Sequence, residues 1–255
     1  MDIFLEIALI LLIARIGGYL AAKFKLPEAF GALIGGILIG PILGIVEFSS
    51  EIKVLGDLGI VFLLFLAGLE TNLEELKRVG IPSFIVALAG VIVPLFAGYW
   101  FSILYGYSKI TSLFLGGTLT ATSVGLTTSI LMEMKKLHTK EGTAILASAV
   151  IDDVLGIMVL AIIIAIKRSG HVSSTELIIL SVEILAYLAL SYLLGSPLIR
   201  ETLRLAERAE MPEILTSVTI ALVLLLAHLA ERVKIAAITG SYLAGLIMSK
   251  TTEAR

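Results

Sequence analysis

The sequence predicts an all-α integral membrane protein with about nine transmembrane helices, and three observations lead there. Of the 255 residues, 58% are hydrophobic and only 16% charged, and the mean hydropathy of +1.05 lies far above that of a water-solvated globular domain. Apolar runs of about 20 residues, the length a helix needs to cross a hydrocarbon core of roughly 30 Å, repeat almost from end to end. These runs are continuous, as from Val154 to Ile166 and from Ile220 to Ala227. A membrane barrel would instead show short strands of alternating polarity.

The spans fall at residues 3–22, 27–46, 55–70, 81–105, 111–131, 142–167, 175–199, 212–231 and 235–250. The first opens Met1-Asp2-Ile3 with neither a basic start nor a small-residue cleavage site, so it reads as a retained span rather than a signal peptide. It carries Arg15, the one basic residue well inside a span, which can pair with Glu6 or a later helix. Asp57 and Glu70 bracket a short third span, and Glu70 is placed where a carboxylate could draw cations to an entrance. Glu183 and His228, in the seventh and eighth spans, read as ion-pair or interfacial residues. The connection from Arg200 to Glu213 mixes charges with apolar residues at helical spacing and predicts an amphipathic surface segment.

The fifth span is unusual. From Gly116 to Ser129 ten of fourteen residues are Gly, Ser or Thr. That composition suits an interrupted helix lining a cavity, although it also permits close helix packing. A break would expose carbonyls which, with the hydroxyls of Thr122, Ser123 and Thr127, are the hard oxygen ligands a small cation needs. Non-helical backbone is expected between Thr120 and Gly125.

Asp152 and Asp153 lie about ten residues into the sixth span, near the bilayer centre, where an ionised carboxylate costs several kcal/mol unless it is compensated. Adjacent helical residues point about 100° apart, so one can face an ion path while the other meets a different partner. Burial and a like charge next door both favour the neutral carboxyl, so such a group can trade a proton for a cation. Ser148 lies one turn before Asp152 on the same side, and Gly156 would let another helix approach that face. The alternative is a structural salt bridge to a basic residue of another helix.

Lys and Arg set the orientation. Twelve fall in the connections on the side reached after the first span, against six opposite, so the N-terminus is read as outside and residue 255 as cytoplasmic. The absence of cysteine excludes disulfides and thiolate-held metals, and His138, His171 and His228 have no metal-ligand spacing. No transition metal or cofactor is expected. Without a basic tract no nucleic acid is expected either; the net charge is −2.

Residues 26–40 (LPEAFGALIGGILIG) and 235–249 (IAAITGSYLAGLIMS) match at an offset of 209, which sets Gly31 on Gly240 and Gly36 on Gly245. The two spans run in opposite directions, so the match reads as an inverted repeat, a common plan of secondary transporters. It divides the chain into a first six-helix unit (1–174), a linker helix with a cytoplasmic segment (175–211), and the start of a second unit (212–255).

The segments LPEAFGALIGGILIGP (26–41), FLLFLAGLETNLEELKR (62–78), the Ser/Thr-rich fifth span and AVIDDVLGI (149–157) resemble the cation:proton antiporter-2 family of sodium/proton and potassium/proton exchangers. The resemblance implies an inverted-repeat antiporter fold with two crossed interrupted helices and an elevator-like core. It assigns residues 1–54 to dimerisation and 55–167 to the core, within a homodimer embedded in membrane lipid. It also implies exchange of a monovalent cation, sodium first, against protons, with both competing for a sodium-type site at Asp153. Asp152 matches the position that is aspartate in electrogenic members and commonly asparagine in electroneutral ones, and Thr122 and Ser123 match the break of the first crossed helix. Family members have twelve or thirteen helices, so the chain looks like an N-terminal portion. A potassium efflux or channel-like protein of the same family is the alternative. A membrane-embedded aspartyl enzyme fits poorly, because its aspartates face each other from two helices, one in a Gly-x-Gly-Asp pattern.

Overall fold

The computed structural model describes residues 3–71, 78–169, 174–208 and 212–252. Lys77, most of the acidic end of the 62–78 segment, and His171 lie outside the described residues. Regular structure is helical throughout: α1 (Ile3–Lys23), α2 (Glu28–Ile37) continued by one π turn (Leu38–Ile42), α3 (Ser50–Glu70), α4 (Gly80–Leu104), α5 (Lys109–Thr120), α6 (Val124–Glu133), α7 (Lys140–Ser169), α8 (Ser174–Leu193), α9 (Gly195–Arg208), α10 (Pro212–Arg232) and α11 (Ala237–Thr252). Among the described residues, seven helical stretches are long and apolar enough to cross a membrane. Two shorter apolar ones, Glu28–Ile42 and Ala237–Ser249, occupy the second and ninth predicted spans.

Local chemistry explains where boundaries differ from expectation. The third helix starts at Ser50 rather than 55 because Ser49 caps it, its hydroxyl accepting from the Ile52 amide at 3.3 Å. It is therefore a full span of 21 residues and not a short one. The seventh span ends at Leu193, not 199. Pro197 cannot donate to the carbonyl of Leu193, and the chain restarts there as α9. Helix α9 lays Ile199 and Leu203 on Val223, Leu226 and Ile247 while Arg200 and Arg204 stay exposed, as an amphipathic surface helix does. In the second span Pro41 removes a donor, and the backbone widens into the π turn before Gly44 closes the helix at φ +61°.

Helix α11 is the centre of the bundle: residues 239–249 are all buried. It lies against α3 and α10, and the contact with α3 is backbone on backbone. A Cβ on Gly68 would sit 2.3 Å from the Tyr242 carbonyl oxygen, and one on Gly245 would sit 2.2 Å from that of Phe65. Ser241 then donates to the Val61 carbonyl, and Tyr242 donates to the Thr71 hydroxyl at 3.2 Å. Close approach through small residues with hydroxyls as cross-links is how helices associate where the hydrophobic effect gives no preference.

The α1–α2 and α10–α11 hairpins share their turn at the offset of 209 residues. Leu26 and Ile235 donate to the Ala21 and Ala230 carbonyls, Lys25 and Lys234 donate to those of Ala22 and Glu231, and Phe30 and Thr239 to those of Pro27 and Ala236. Lys25 and Lys234 both take left-handed backbone, at φ 60° and 65°. Each hairpin also meets its glycine with backbone fourteen residues earlier: Gly31 against Gly17, Gly240 against Leu226. Arg15 pairs with Glu28 at 3.0 Å, and Glu133 at the end of α6 caps α2 by accepting the Glu28 amide with both oxygens, at 2.9 and 2.8 Å.

Replacing Gly245 by valine should lower the thermal unfolding midpoint in detergent by several degrees, because overpacking costs about 1–3 kcal/mol and the opposing atoms are backbone. Gly59→Ala on α3, where a Cβ meets nothing within 4 Å, should leave the midpoint unchanged or raise it. Equal midpoints for the two variants would show that α3 and α11 do not touch.

Candidate ion site between the interrupted helix and helix α7

The fifth span is interrupted as its composition predicts. Residues 121–123 are not helical, with Ala121 at φ −79°, ψ 104° and Ser123 at φ −84°, ψ 115°. Thr118 donates to the Phe114 carbonyl at 2.8 Å, and Thr120 donates to that of Gly117 at 2.7 Å, serving an acceptor in the last turn of α5 from the side. Part of the small-residue run does serve packing: a Cβ on Gly116 would sit 2.4 Å from the Leu95 carbonyl oxygen of α4.

Helix α7 is capped by Thr139, whose hydroxyl accepts from the Gly142 amide at 3.1 Å. Asp152 and Asp153 follow roughly 18 Å along its axis, about mid-depth in the bundle at 1.5 Å per residue. Their divergent directions give them different partners. Thr122, within the break, donates to Asp152 Oδ2 at 3.1 Å, and Thr239, in the first turn of α11, donates to Asp153 Oδ2. Each carboxylate thus meets a hydroxyl carried at a helix N-terminus, where unpaired amides and the helix dipole favour negative charge. Among the described residues no Lys or Arg comes within ion-pair distance of either aspartate. Arg15 is engaged with Glu28 instead.

Both aspartates line a cavity of about 640 Å³ with Thr118, Thr120, Thr122 and Gly156, and Glu231 and Lys234 line it at the α10–α11 turn. Gly156 has no atom within 4 Å of the position its Cβ would take; it widens the cavity instead of admitting a helix, contrary to expectation. Of the other residues singled out in the sequence, Ser123 is the last residue of the break but does not line the cavity, and Thr127 lies on the exposed side of α6. Ser148 is buried with its hydroxyl on the Ile145 carbonyl at 2.8 Å. Glu70 sits at the far end of α3, 3.6 Å from His138. Thr239 was not singled out. Its signal was a lone hydroxyl in the first turn of a helix otherwise suited to complete burial.

The family model of the sodium/hydrogen exchanger transmembrane region matches residues 8–255. Among curated relatives, the chain is 32% identical to the high-affinity Na(+)/H(+) antiporter NhaS3 of Synechocystis, over 98% of this chain and 62% of the relative. It is 35% identical to the Na(+)/H(+)-K(+) antiporter GerN of Bacillus cereus, over 98% and 64%. With the Na(+)/H(+) antiporter of Enterococcus hirae it shares 30%, over 96% and 64%. The chain therefore spans just under two thirds of the length of these relatives.

The chain has no cysteine, so single cysteines report on the cavity directly. Thr118→Cys and Gly156→Cys should react with a membrane-impermeant thiol reagent, whereas Ser148→Cys on the packed side of α7 should react far more slowly. Equal labelling at all three positions would mean that the cavity is not an aqueous path.

Proposed function

The chain belongs to the sodium/hydrogen exchanger family, and from that premise we propose that it forms the part of a secondary antiporter in which a monovalent cation and protons compete for Asp153. One observation carries the reading: two adjacent carboxylates at mid-depth, each held by a hydroxyl from a different helix N-terminus, share one cavity with a helix break. A dehydrated cation needs hard oxygen ligands, and the carboxylates, the Thr122 hydroxyl and the carbonyls freed at the break offer them. An ionised carboxylate held away from water is costly, so Asp153 is most stable when it carries either a cation or a proton. Competition for one group couples the two fluxes. Sodium is the proposed cation, and alternating access the proposed mode.

The wider arrangement extends the proposal. The matching turns and glycine contacts of the two hairpins support an inverted repeat, with 1–174 as the first unit, 175–211 as linker and 212–255 opening the second. Within the first unit, 1–54 would hold the dimer together and 55–167 would carry the site. The Lys and Arg asymmetry orients the N-terminus outward, so the cavity, reached from the α10–α11 turn, opens away from the cytoplasm.

In the full-length protein reconstituted into vesicles with imposed cation and pH gradients, Asp153→Ala should abolish exchange. Asp152→Asn keeps the size and hydrogen bonding of the side chain, so exchange should persist with altered stoichiometry and weaker dependence on voltage. Each net charge moved across about 100 mV is worth roughly 2.3 kcal/mol, so the change will be visible in the voltage response. Coupled exchange at the normal rate by Asp153→Ala would overturn the site. Intact exchange with lowered thermal stability in both variants would make the pair structural.

A further inference from the structure

Asp153 has a partner that the sequence pattern does not mark. Thr239 is 3% exposed, and the helix that carries it is buried along residues 239–249 and locked to α3 by backbone contact at Gly68 and Gly245. One turn further along the same face, Tyr242 is tied to Thr71, which in turn donates to the Ala67 carbonyl at 2.7 Å. The Thr239 hydroxyl is thus a fixed point against which Asp153, on the longer α7, is set. It engages one carboxylate oxygen, Oδ2, and leaves Oδ1 for another partner. A small second cavity touches Asp153, Thr239 and Tyr242 and is otherwise lined by apolar side chains, so Thr239 is the only protein hydroxyl bonded to Asp153 among the described residues.

The chemistry of that partner suits a group that changes protonation state. A hydroxyl carries one donor and two acceptor lone pairs and can rotate between them. Facing an ionised Asp153 it donates; facing a protonated Asp153 it can accept the carboxyl proton with no movement of the backbone. A lysine partner could serve only the ionised form, because an ammonium has no lone pair. We propose that Thr239 is the positioning residue of the cation site, a partner that holds Asp153 in one orientation through both the cation-loaded and proton-loaded states. It acts through Asp153 and takes no proton itself. This inference rests on the reading of Asp153 as the site of competition.

The test is sodium-dependent exchange by the full-length protein in vesicles, with rates normalised to folded transporter and the sodium KM separated from the maximal rate. Thr239→Val keeps the shape and removes the hydroxyl. It should raise the sodium KM about ten-fold or more, the scale of a lost hydrogen bond to a charged group, with a smaller change in maximal rate. Thr239→Ser should restore the KM to near the original value. If valine impairs folding, Thr239→Ala should raise the KM in the same way. An unchanged KM in the valine or alanine variant, or a serine variant as impaired as valine, would overturn the positioning role. Asp153→Ala, run alongside, separates the two claims. If it abolishes exchange while Thr239→Val keeps its KM, only the role of Thr239 fails; if it exchanges normally, the site reading itself fails.

Discussion

Two carboxylates side by side on a helix through a water-poor layer set the terms for everything around them. A single charged residue at the centre of a spanning helix costs roughly 2.5–3.5 kcal/mol on insertion scales, and a second like charge adds repulsion. The cavity lets water meet part of that cost, whereas a cationic side chain would cancel the charges. The structure uses hydroxyl donors at helix N-termini, which stabilise negative charge without neutralising it. Two such termini must therefore reach the carboxylates. The break at residues 121–123 brings one, and the first turn of α11, just after the α10–α11 turn, brings the other.

Placing α11 there has consequences for packing. Residues 239–249 are all buried, and the close fit to α3 requires glycine at 68 and 245. Helix α2 occupies the equivalent place in the other hairpin at the offset of 209 residues. Its first amide is served by the two oxygens of Glu133, an acceptor sent from the cytoplasmic-side end of α6 on the proposed orientation. Both short helices therefore have their N-terminal regions tied to the interrupted helix or to α7, the elements that carry the candidate site.

The features legible in the sequence were those with a local cause. Long apolar runs marked the nine apolar helical stretches found among the described residues, and the dense Ser/Thr/Gly run marked the break within its six-residue window, since hydroxyls that bond to their own helix carbonyls and poor helix formers act within one turn. The adjacency of Asp152 and Asp153 was enough to show that they would look in different directions. What could not be read was which helix each would face. Thr239 is 86 residues from Asp153, and in the repeat its counterpart is Phe30, so neither spacing nor symmetry draws attention to it. Gly156 was misjudged for a related reason: a glycine on a helix face fits a close neighbour or an empty cavity equally well, and only the position of α10 and α11 decides between them.

The two hydroxyl contacts also differ in how firmly they are held, and that difference bears on the exchange proposed for the site. Thr122 sits in the three-residue helix break and is itself exposed, so its contact with Asp152 can lengthen at little cost. Thr239 is immobilised by α11. On the proposed reading an ion entering by the cavity reaches Asp152 and the Thr122 hydroxyl from the open side, while Asp153 is held from behind by Thr239. A pair built in this way has one adaptable member and one fixed member. On the proposed reading, Asp152 and the break adjust to the size and charge of the arriving ion, and Asp153 keeps the same geometry whether it holds a cation or a proton. Strict competition needs that constancy, because a carboxyl free to turn away on protonation could let a cation pass without a proton returning.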